Sequence, residues 1–284
     1  VASVLRVTTR NARFQQWQAL LGNRNKRQRS GEFLVQGVRP ITLAVQHGWQ
    51  VRALLYDADR SLSQWAAEIL EQVAATRVAV APELLAELGE KTEAPPELIA
   101  VVALPPDDLG RIPVHSQMTV VVFDRPTSPG NIGTLIRSAD ALGAAGVITT
   151  GHAADVYDPK AVRASTGSLF AIPTIRASGS QPVLDWVTDL RSRGLELRIV
   201  GTDEAGEAEV HDQDLTGPTL LLVGNETAGL SAAWRQAADH LVRIPMVTAP
   251  GRPSGASSLN AATAASIVLY EAVRQRRTGQ NRIM

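Results

Sequence analysis

Three segments hold residues whose types and spacing suit chemistry on a phosphate-bearing ligand. In SPGNIGTLIRSADALGAAGV, Asn131 and Gly133 follow an apolar run and open a helical pattern, with Arg137 one to two turns further on. A helix start with free backbone N–H groups and a guanidinium nearby can hold a phosphate, the arginine bidentately. A loop glycine beside a surface arginine is the plainer alternative. In LLLVGNETAGLS an apolar strand runs into Gly224, Asn225 and Glu226, and Gly229 precedes a helix. Glycine lets a backbone approach a ligand closely. Glu226 either faces a polar ligand or caps the next helix, a task that Ser, Thr, Asp and Asn perform better. In RIPMVTAPGRPSGASSLNAATAASIVLYEA, Ile244 and Met246 end a strand, and a loop of Gly, Pro and Ser leads to Ser258, Leu259 and Asn260 at the head of an alanine-dense helix. Taken alone, these serines are ordinary helix caps.

Other chemistries lack their residues. The chain has no cysteine, which removes disulfides, thiolate nucleophiles and cysteine-ligated zinc together. Its five histidines, at 47, 115, 152, 211 and 240, stand too far apart for a familiar metal-ligand spacing, so no metal is expected. GxGxxG, GxxxxGK[ST] and GxSxG are all absent, which disfavours a dinucleotide fold, a P-loop and a serine-hydrolase elbow. No apolar run approaches the ~18 residues that span a bilayer, and the N-terminus lacks a secretory pattern, so a cytoplasmic protein with no membrane partner is expected.

The elements that must position the three segments alternate. Helix NARFQQWQALL, strand FLVQG, a helix to His47, strand VRALLYD, helix SLSQWAAEILEQVAA, a short VAV strand, helix PELLAELG and strand ELIAVVAL form a unit of about 100 residues. PPDDLGRIPVHSQ reads as a linker. Strands MTVVVFD, AGVITT, ELRIVGTD, TLLLVGNE and HLVRIP follow, with helices at 132–143 and near 159–167, 181–193, 230–239 and 258–276. The pattern is that of an α/β protein with largely parallel strands, whose ligands bind at strand carboxyl ends, where all three segments lie. The expected division is 1–106, a linker at 107–117, and 118–284.

A composition of 44% apolar and 20% charged residues in 284 is that of a folded globular chain. Net charge is zero, with 28 basic and 28 acidic residues, but residues 1–31 hold seven basic residues and no acid. Arg10, Arg24, Lys26, Arg27 and Arg29 are therefore the expected RNA contacts. A GC-rich genome would also favour arginine, which supplies 25 of the 28 cations. Phe14 and Trp17 could stack on bases, but their spacing fits a buried helix face better.

In this order and on these elements, NxGxxxR, GNExxGLS and IPM with SLN resemble the three motifs of the SpoU-type RNA 2′-O-ribose methyltransferases of the SPOUT superfamily. The resemblance covers roughly residues 118–275. EFLVQGVRPITLAVQHGWQVRALLYD resembles the L30e-like RNA-binding domain that many members carry. The arrangement is most similar to the resistance enzymes of the avilamycin and thiostrepton types, which methylate 23S rRNA. The resemblance implies a parallel-sheet catalytic domain with a deep trefoil knot, which connection rules would argue against. It implies S-adenosylmethionine held by Thr202, Gly224, Ile244, Met246 and Leu259, a catalytic centre of Arg137, Asn131, Glu226, Ser258 and Asn260, and a homodimer. The small face of the last helix, with Ala261, Ala264 and Ala265, would serve either a dimer or an internal contact. A guanidinium stays protonated, so Arg137 is assigned to phosphate binding and charge stabilisation, with the proton leaving to water or a neighbouring group. Two features depart from the family pattern. Eleven residues instead of about five separate Met246 from Ser258, which leaves the contacts of 247–256 open, and Asn260 is followed by two alanines where the family has NVS. A tRNA substrate, methylation of a base nitrogen and a non-catalytic RNA-binding protein are the alternatives.

Overall fold

The computed structural model describes residues 5–57, 59–90, 95–247 and 258–280, the last two by backbone alone. In chain order the elements are β1 (Leu5–Val7), α1 (Ala12–Gly22), α2 (Arg24–Ser30), β2 (Glu32–Gln36), α3 (Val38–Gln46), β3 (Val51–Asp57), α4 (Gln64–Gln72), β4 (Thr76–Val80), α5 (Pro82–Gly89) and β5 (Leu98–Ala103). After a 3₁₀ turn at Leu109–Arg111 come β6 (Thr119–Asp124), α6 (Pro129–Ala141), β7 (Gly146–Thr150), α7 (Pro159–Ser165), α8 (Ser168–Ala171), β8 (Thr174–Ala177) and α9 (Gln181–Ser192). The chain continues through β9 (Arg198–Thr202), β10 (Ala208–Glu209), β11 (Thr219–Val223), α10 (Ala232–Ala237), β12 (His240–Arg243) and α11 (Ala261–Gln280).

Two compact units form, one from residues 1–106 with 157–171 and the other from 107–156 with 172–284. The chain thus leaves the first unit between Pro106 and Asp107, beside the linker read from sequence. It differs from a simple serial division in that residues 157–171 pack with the first unit. The reason is aromatic: Phe33 lies 4.9 Å from the Tyr157 ring and 6.3 Å from the Phe170 ring, and Trp49 meets Phe170 edge-on at 5.0 Å.

In the first unit the sheet order is β1-β4-β3-β5-β2, and β5 runs antiparallel to both neighbours while the other pairings are parallel. The expected helix 11–21 forms one residue later, with the Asn11 side chain accepting the Phe14 N–H at 3.0 Å as its N-cap. Phe14, Trp17 and Leu20 are buried in the core, so the aromatic pair packs and does not stack on bases. A second helix, α2, comes directly after it, capped by Asn23 through the Lys26 N–H.

That helix corrects one RNA-binding assignment. Arg27 is buried, and its guanidinium donates to the carbonyls of Leu20 at 2.5 Å and Leu21 at 3.1 Å, with Asp158 3.9 Å away. It closes the carbonyl end of α1, whose last C=O groups have no partner within the helix. Lys26 and Arg29 are exposed, Arg24 is half-buried, and Arg10 is exposed and paired with Glu87 at 2.9 Å.

The second unit has a seven-stranded sheet in the order β10-β12-β9-β11-β6-β7-β8, parallel throughout. β6 and β11 are buried along their whole length, as parallel strands covered on both faces should be. Met118, Val120, Val122, Ile148, Leu220, Leu222 and Trp234 anchor the core beneath them. Ser128 caps α6 through the Asn131 N–H, and Pro129 pre-sets its first turn. From β6 the strand order proceeds through β7 to β8 on one side and through β11 and β9 to β12 on the other. The reversal beside β6 is the position at which open α/β sheets bind ligands.

Candidate functional site

A cavity of about 350 Å³ opens where β9, β11 and β12 end. All five residues expected at a cofactor line it, namely Thr202, Gly224, Ile244, Met246 and Leu259, together with Glu226 and Ser258. Ala261 and Ala264 of α11 also face it, whereas Ala265 is wholly buried. The Ser266 hydroxyl, on the same helix, lies 2.8 Å from that of Ser138 on α6, so this part of the small-residue face makes an internal contact.

Gly224 is a glycine for a reason other than ligand approach. A Cβ there would stand 2.5 Å from the Gly229 carbonyl carbon and 2.6 Å from the Leu230 nitrogen. The close partner is the returning arm of the turn 225–229, in which Asn225 and Gly229 exchange backbone hydrogen bonds at 3.0 Å each. Inside the turn, Asn225 Oδ1 accepts the N–H groups of Thr227 and Ala228, both at 2.9 Å.

Glu226 does not cap the helix beyond it. Its Oε2 accepts the Thr127 N–H and hydroxyl, each at 3.1 Å, and its Oε1 accepts the Ser128 N–H at 3.3 Å and the Asn131 side-chain amide at 3.1 Å. Burial is the largest single influence on its acidity and favours the neutral form. The hydrogen bonds from Thr127, its own backbone, Asn131 and Ser128 together outweigh it, so the carboxyl lies below the usual glutamate value. Asn131 Oδ1 in turn accepts from Asn260 Nδ2 at 3.0 Å, while Asn260 Oδ1 receives the N–H groups of Ala262 and Thr263 at 2.9 and 3.3 Å, capping α11. One hydrogen-bonded line thus joins residues from all three sequence segments.

Arg137 stands apart from this line. It is exposed on α6 and does not line the cavity. It lies six positions along the helix from Asn131, a rise of about 9 Å with a turn of roughly 600°, so the two share no face. Among the described residues no carboxylate pairs with it.

Sequence reasoning missed the support beneath the turn. Asp124, the acid that ends β6, is buried and accepts from the Thr150 hydroxyl at 3.0 Å, the Ser231 N–H at 2.8 Å and Arg125 Nε at 3.1 Å. Arg125 Nη2 also donates to the Gly229 carbonyl at 3.1 Å, and its own carbonyl accepts from Asn225 Nδ2 at 2.7 Å. Its φ of 51° is a left-handed conformation that costs a non-glycine residue about 1 kcal/mol. An acid closing an apolar run was the available signal. Elsewhere in the lining, Arg235 pairs with Asp203 at 2.6 Å.

The cavity fits S-adenosylmethionine in size and lining. Its volume falls within the roughly 300–1,000 Å³ of small-molecule sites. Val223, Val242, Ile244 and Leu259 offer an apolar wall for a purine, and Glu204 brings a carboxylate suited to a cationic ligand.

An all-parallel α/β domain with such a cavity at the carboxyl ends of its strands defines a cofactor-dependent α/β enzyme, here with a second unit that bears exposed cations. The chain belongs to the SpoU rRNA methylase family: residues 118–270 match that family, and residues 11–100 match the SpoU L30e-like domain. It is therefore a methyltransferase that uses the family's cofactor, S-adenosylmethionine. It is 64% identical over 275 residues to the 23S rRNA (uridine(2479)-2′-O)-methyltransferase of Streptomyces viridochromogenes, covering 97% of this chain and 94% of that one. The structure of the SpoU methyltransferase AviRb from that organism, in complex with AdoMet, superposes with a TM-score of 0.90 at 64% identity, covering 95% of this chain and 99% of that one. An AdoMet-bound rRNA methyltransferase from Sinorhizobium meliloti is 31% identical, with a TM-score of 0.81 over 95% of this chain and 98% of that one.

Proposed function

We propose that the protein methylates the 2′-hydroxyl of one nucleotide in 23S rRNA, and that the mark protects the ribosome from an antibiotic by obstructing its site. The observation that carries this reading is the line that leads from Glu226 in the cavity lining through Asn131 to Asn260, in a chain 64% identical to a 23S rRNA 2′-O-methyltransferase. S-adenosylmethionine, when bound, supplies the electrophilic methyl group. Thr202, Gly224, Ile244, Met246 and Leu259 hold it, largely through backbone and apolar contacts. Asn131, Glu226, Ser258 and Asn260 orient the loops and the ribose, contributing by alignment.

Arg137 lies off the cavity, so its part in the proposal is to hold the phosphate beside the target ribose, from where its charge acts through space on the developing 2′-oxyanion. Neither Arg137 nor Glu226 takes the proton. The guanidinium is already protonated, and each oxygen of Glu226 already accepts two hydrogen bonds. Water receives it. Arg10, Arg24, Lys26 and Arg29 contact phosphates, and residues 1–106 recognise a folded RNA region by loops and shape. A homodimer, a trefoil knot at the cofactor loop and a cytoplasmic location complete the proposal. In support of the last, no helix among the described residues is long and apolar enough to cross a membrane.

The test is to incubate the protein and labelled S-adenosylmethionine with 23S rRNA transcript, total tRNA and intact ribosomal subunits. Label recovered as a 2′-O-methyl nucleoside from 23S rRNA, and lost in Arg137→Ala, supports the reading. Label in tRNA, or on a base, replaces it with the corresponding alternative. An unchanged inhibitory drug concentration on expression in a sensitive host removes the resistance role.

A further inference from the structure

Arg125 lies outside the cavity and outside every motif, yet three independent features are arranged around it. Its backbone is left-handed at φ 51°. The neighbouring Gly151, itself at φ 65°, leaves room for its side chain, since a Cβ there would stand 2.9 Å from Arg125 Cγ. A buried carboxylate, Asp124, accepts its Nε at 3.1 Å. A strained residue persists only where its surroundings hold it, and such residues gather at functional sites.

What this arrangement holds is the turn 225–229. The Arg125 guanidinium donates to Gly229, on the returning arm, and the Arg125 carbonyl accepts from Asn225, on the outgoing arm. Asp124 extends the same grip past the turn, because its Oδ2 also accepts the Ser231 N–H at the start of α10. Residues 225–229 all line the cavity, and Glu226 at the crest of the turn bonds Thr127, Ser128 and Asn131.

We infer that Arg125 is a positioning residue for the methyl transfer: forked between Asp124 and the Gly229 carbonyl, it fixes the turn that forms one wall of the cofactor cavity and presents Glu226 to Asn131. The inference rests on the reading of this cavity as the S-adenosylmethionine site. Its planar fork matters as much as its charge, since a lysine ammonium is a point charge and does not reproduce two directed bonds.

The test compares wild type, Arg125→Gly and Arg125→Lys in the RNA-free protein. Three quantities are read: hydrogen exchange at the amides of residues 227–229 without ligand, S-adenosylmethionine affinity by calorimetry, and KM against kcat on RNA. Glycine adopts φ 51° freely, so Arg125→Gly is expected to stay folded, with exchange at those amides and cofactor Kd each rising about tenfold, and KM for the cofactor rising with Kd. Arg125→Lys is expected to fall between the two, and it carries the comparison should the glycine variant fail to fold. A folded variant with wild-type exchange, or with faster exchange and unchanged Kd, overturns the inference. Wild type that binds no S-adenosylmethionine overturns the reading of the cavity instead, and the exchange comparison then still decides whether Arg125 holds the turn.

Discussion

Replacing Glu226 by glutamine tests whether the carboxylate is needed as a four-fold acceptor. Each of its oxygens takes two hydrogen bonds, from Thr127 N–H and hydroxyl on one side and from Ser128 N–H and Asn131 Nδ2 on the other. A glutamine of the same shape offers one oxygen and one NH₂ group, so on one side an N–H meets another donor. A hydrogen bond to a charged group is worth about 1.5–3 kcal/mol when shielded. The site is only half-buried, so we take about 1 kcal/mol for the Thr127 N–H bond lost and about 1 kcal/mol for the charge removed from the other three. If that ~2 kcal/mol appears in the transition state alone, methyl transfer slows about 30-fold. If it appears in folding alone, Tm falls by about 4–8 °C. Single-turnover transfer and thermal denaturation measured on one preparation show the division. Unchanged rate and unchanged Tm would refute the argument. The acid limb has a defined sign as well. Because the folded carboxyl lies below its usual value, its stabilising contribution is complete above the ordinary Glu value of about 4.3 and is lost as pH falls through the depressed one. Glu226→Gln should remove that dependence.

Arg137→Ala should lower kcat about 10²–10³-fold while leaving S-adenosylmethionine affinity within twofold, since the side chain lies off the cavity; equilibrium binding and single-turnover kinetics check both halves. Lys26→Ala should weaken RNA binding and reduce the slope of log K against log salt by about 0.9, with Tm unchanged. Its neighbour should behave oppositely: Arg27→Ala removes the buried donor to Leu20 and Leu21 and should cost about 3 kcal/mol of stability, read by denaturant unfolding. Asp214, drawn down to about 2 chiefly by the Thr216 hydroxyl and then by Arg198, contributes stability that is complete above the ordinary Asp value of about 3.9 and lost as pH falls toward 2; Asp214→Asn should flatten Tm against pH over that interval.

Strong periodicity was legible and short elements were not. VRALLYD and PELLAELG form over the residues read from sequence, because each is a complete pattern bounded by turn residues. β1, β8 and β10 have two to four residues and no room to show a period. α2, RNKRQRS, has no apolar face at all and is held by its Asn23 cap and by inward-facing Arg27. Charge clustering therefore pointed to a binding surface in which one of five cations is a core residue. Residue type says nothing about which cation turns inward when the nearest unpaired carbonyls lie seven residues back. The cavity residues were legible for a different reason: the apolar runs mark the strand ends where they lie, but it is the resemblance to the SpoU motifs that picks them out, and residues 248–257 of the lengthened loop lie outside the described residues.

The polar line at the site also has a direction, set by donors and acceptors alone. The amides of Ala262 and Thr263 at the start of α11 require an acceptor, so Asn260 presents Oδ1 to them and must donate with Nδ2. Asn131 receives that bond on Oδ1 and is left with Nδ2, which needs an acceptor in turn. An ionised Glu226 accepts it together with the N–H groups of Thr127 and Ser128 and the Thr127 hydroxyl; in a neutral Glu226 that hydroxyl would have to turn round and accept. Each amide orientation is thus dictated by its neighbour, from a helix terminus to a carboxylate, without reference to any ligand. Three of its four partners are N–H groups that can only donate, so the same line that aligns the three segments favours the charged carboxylate and makes it a poor acceptor for the ribose proton. The ribose proton therefore goes to a group other than Glu226.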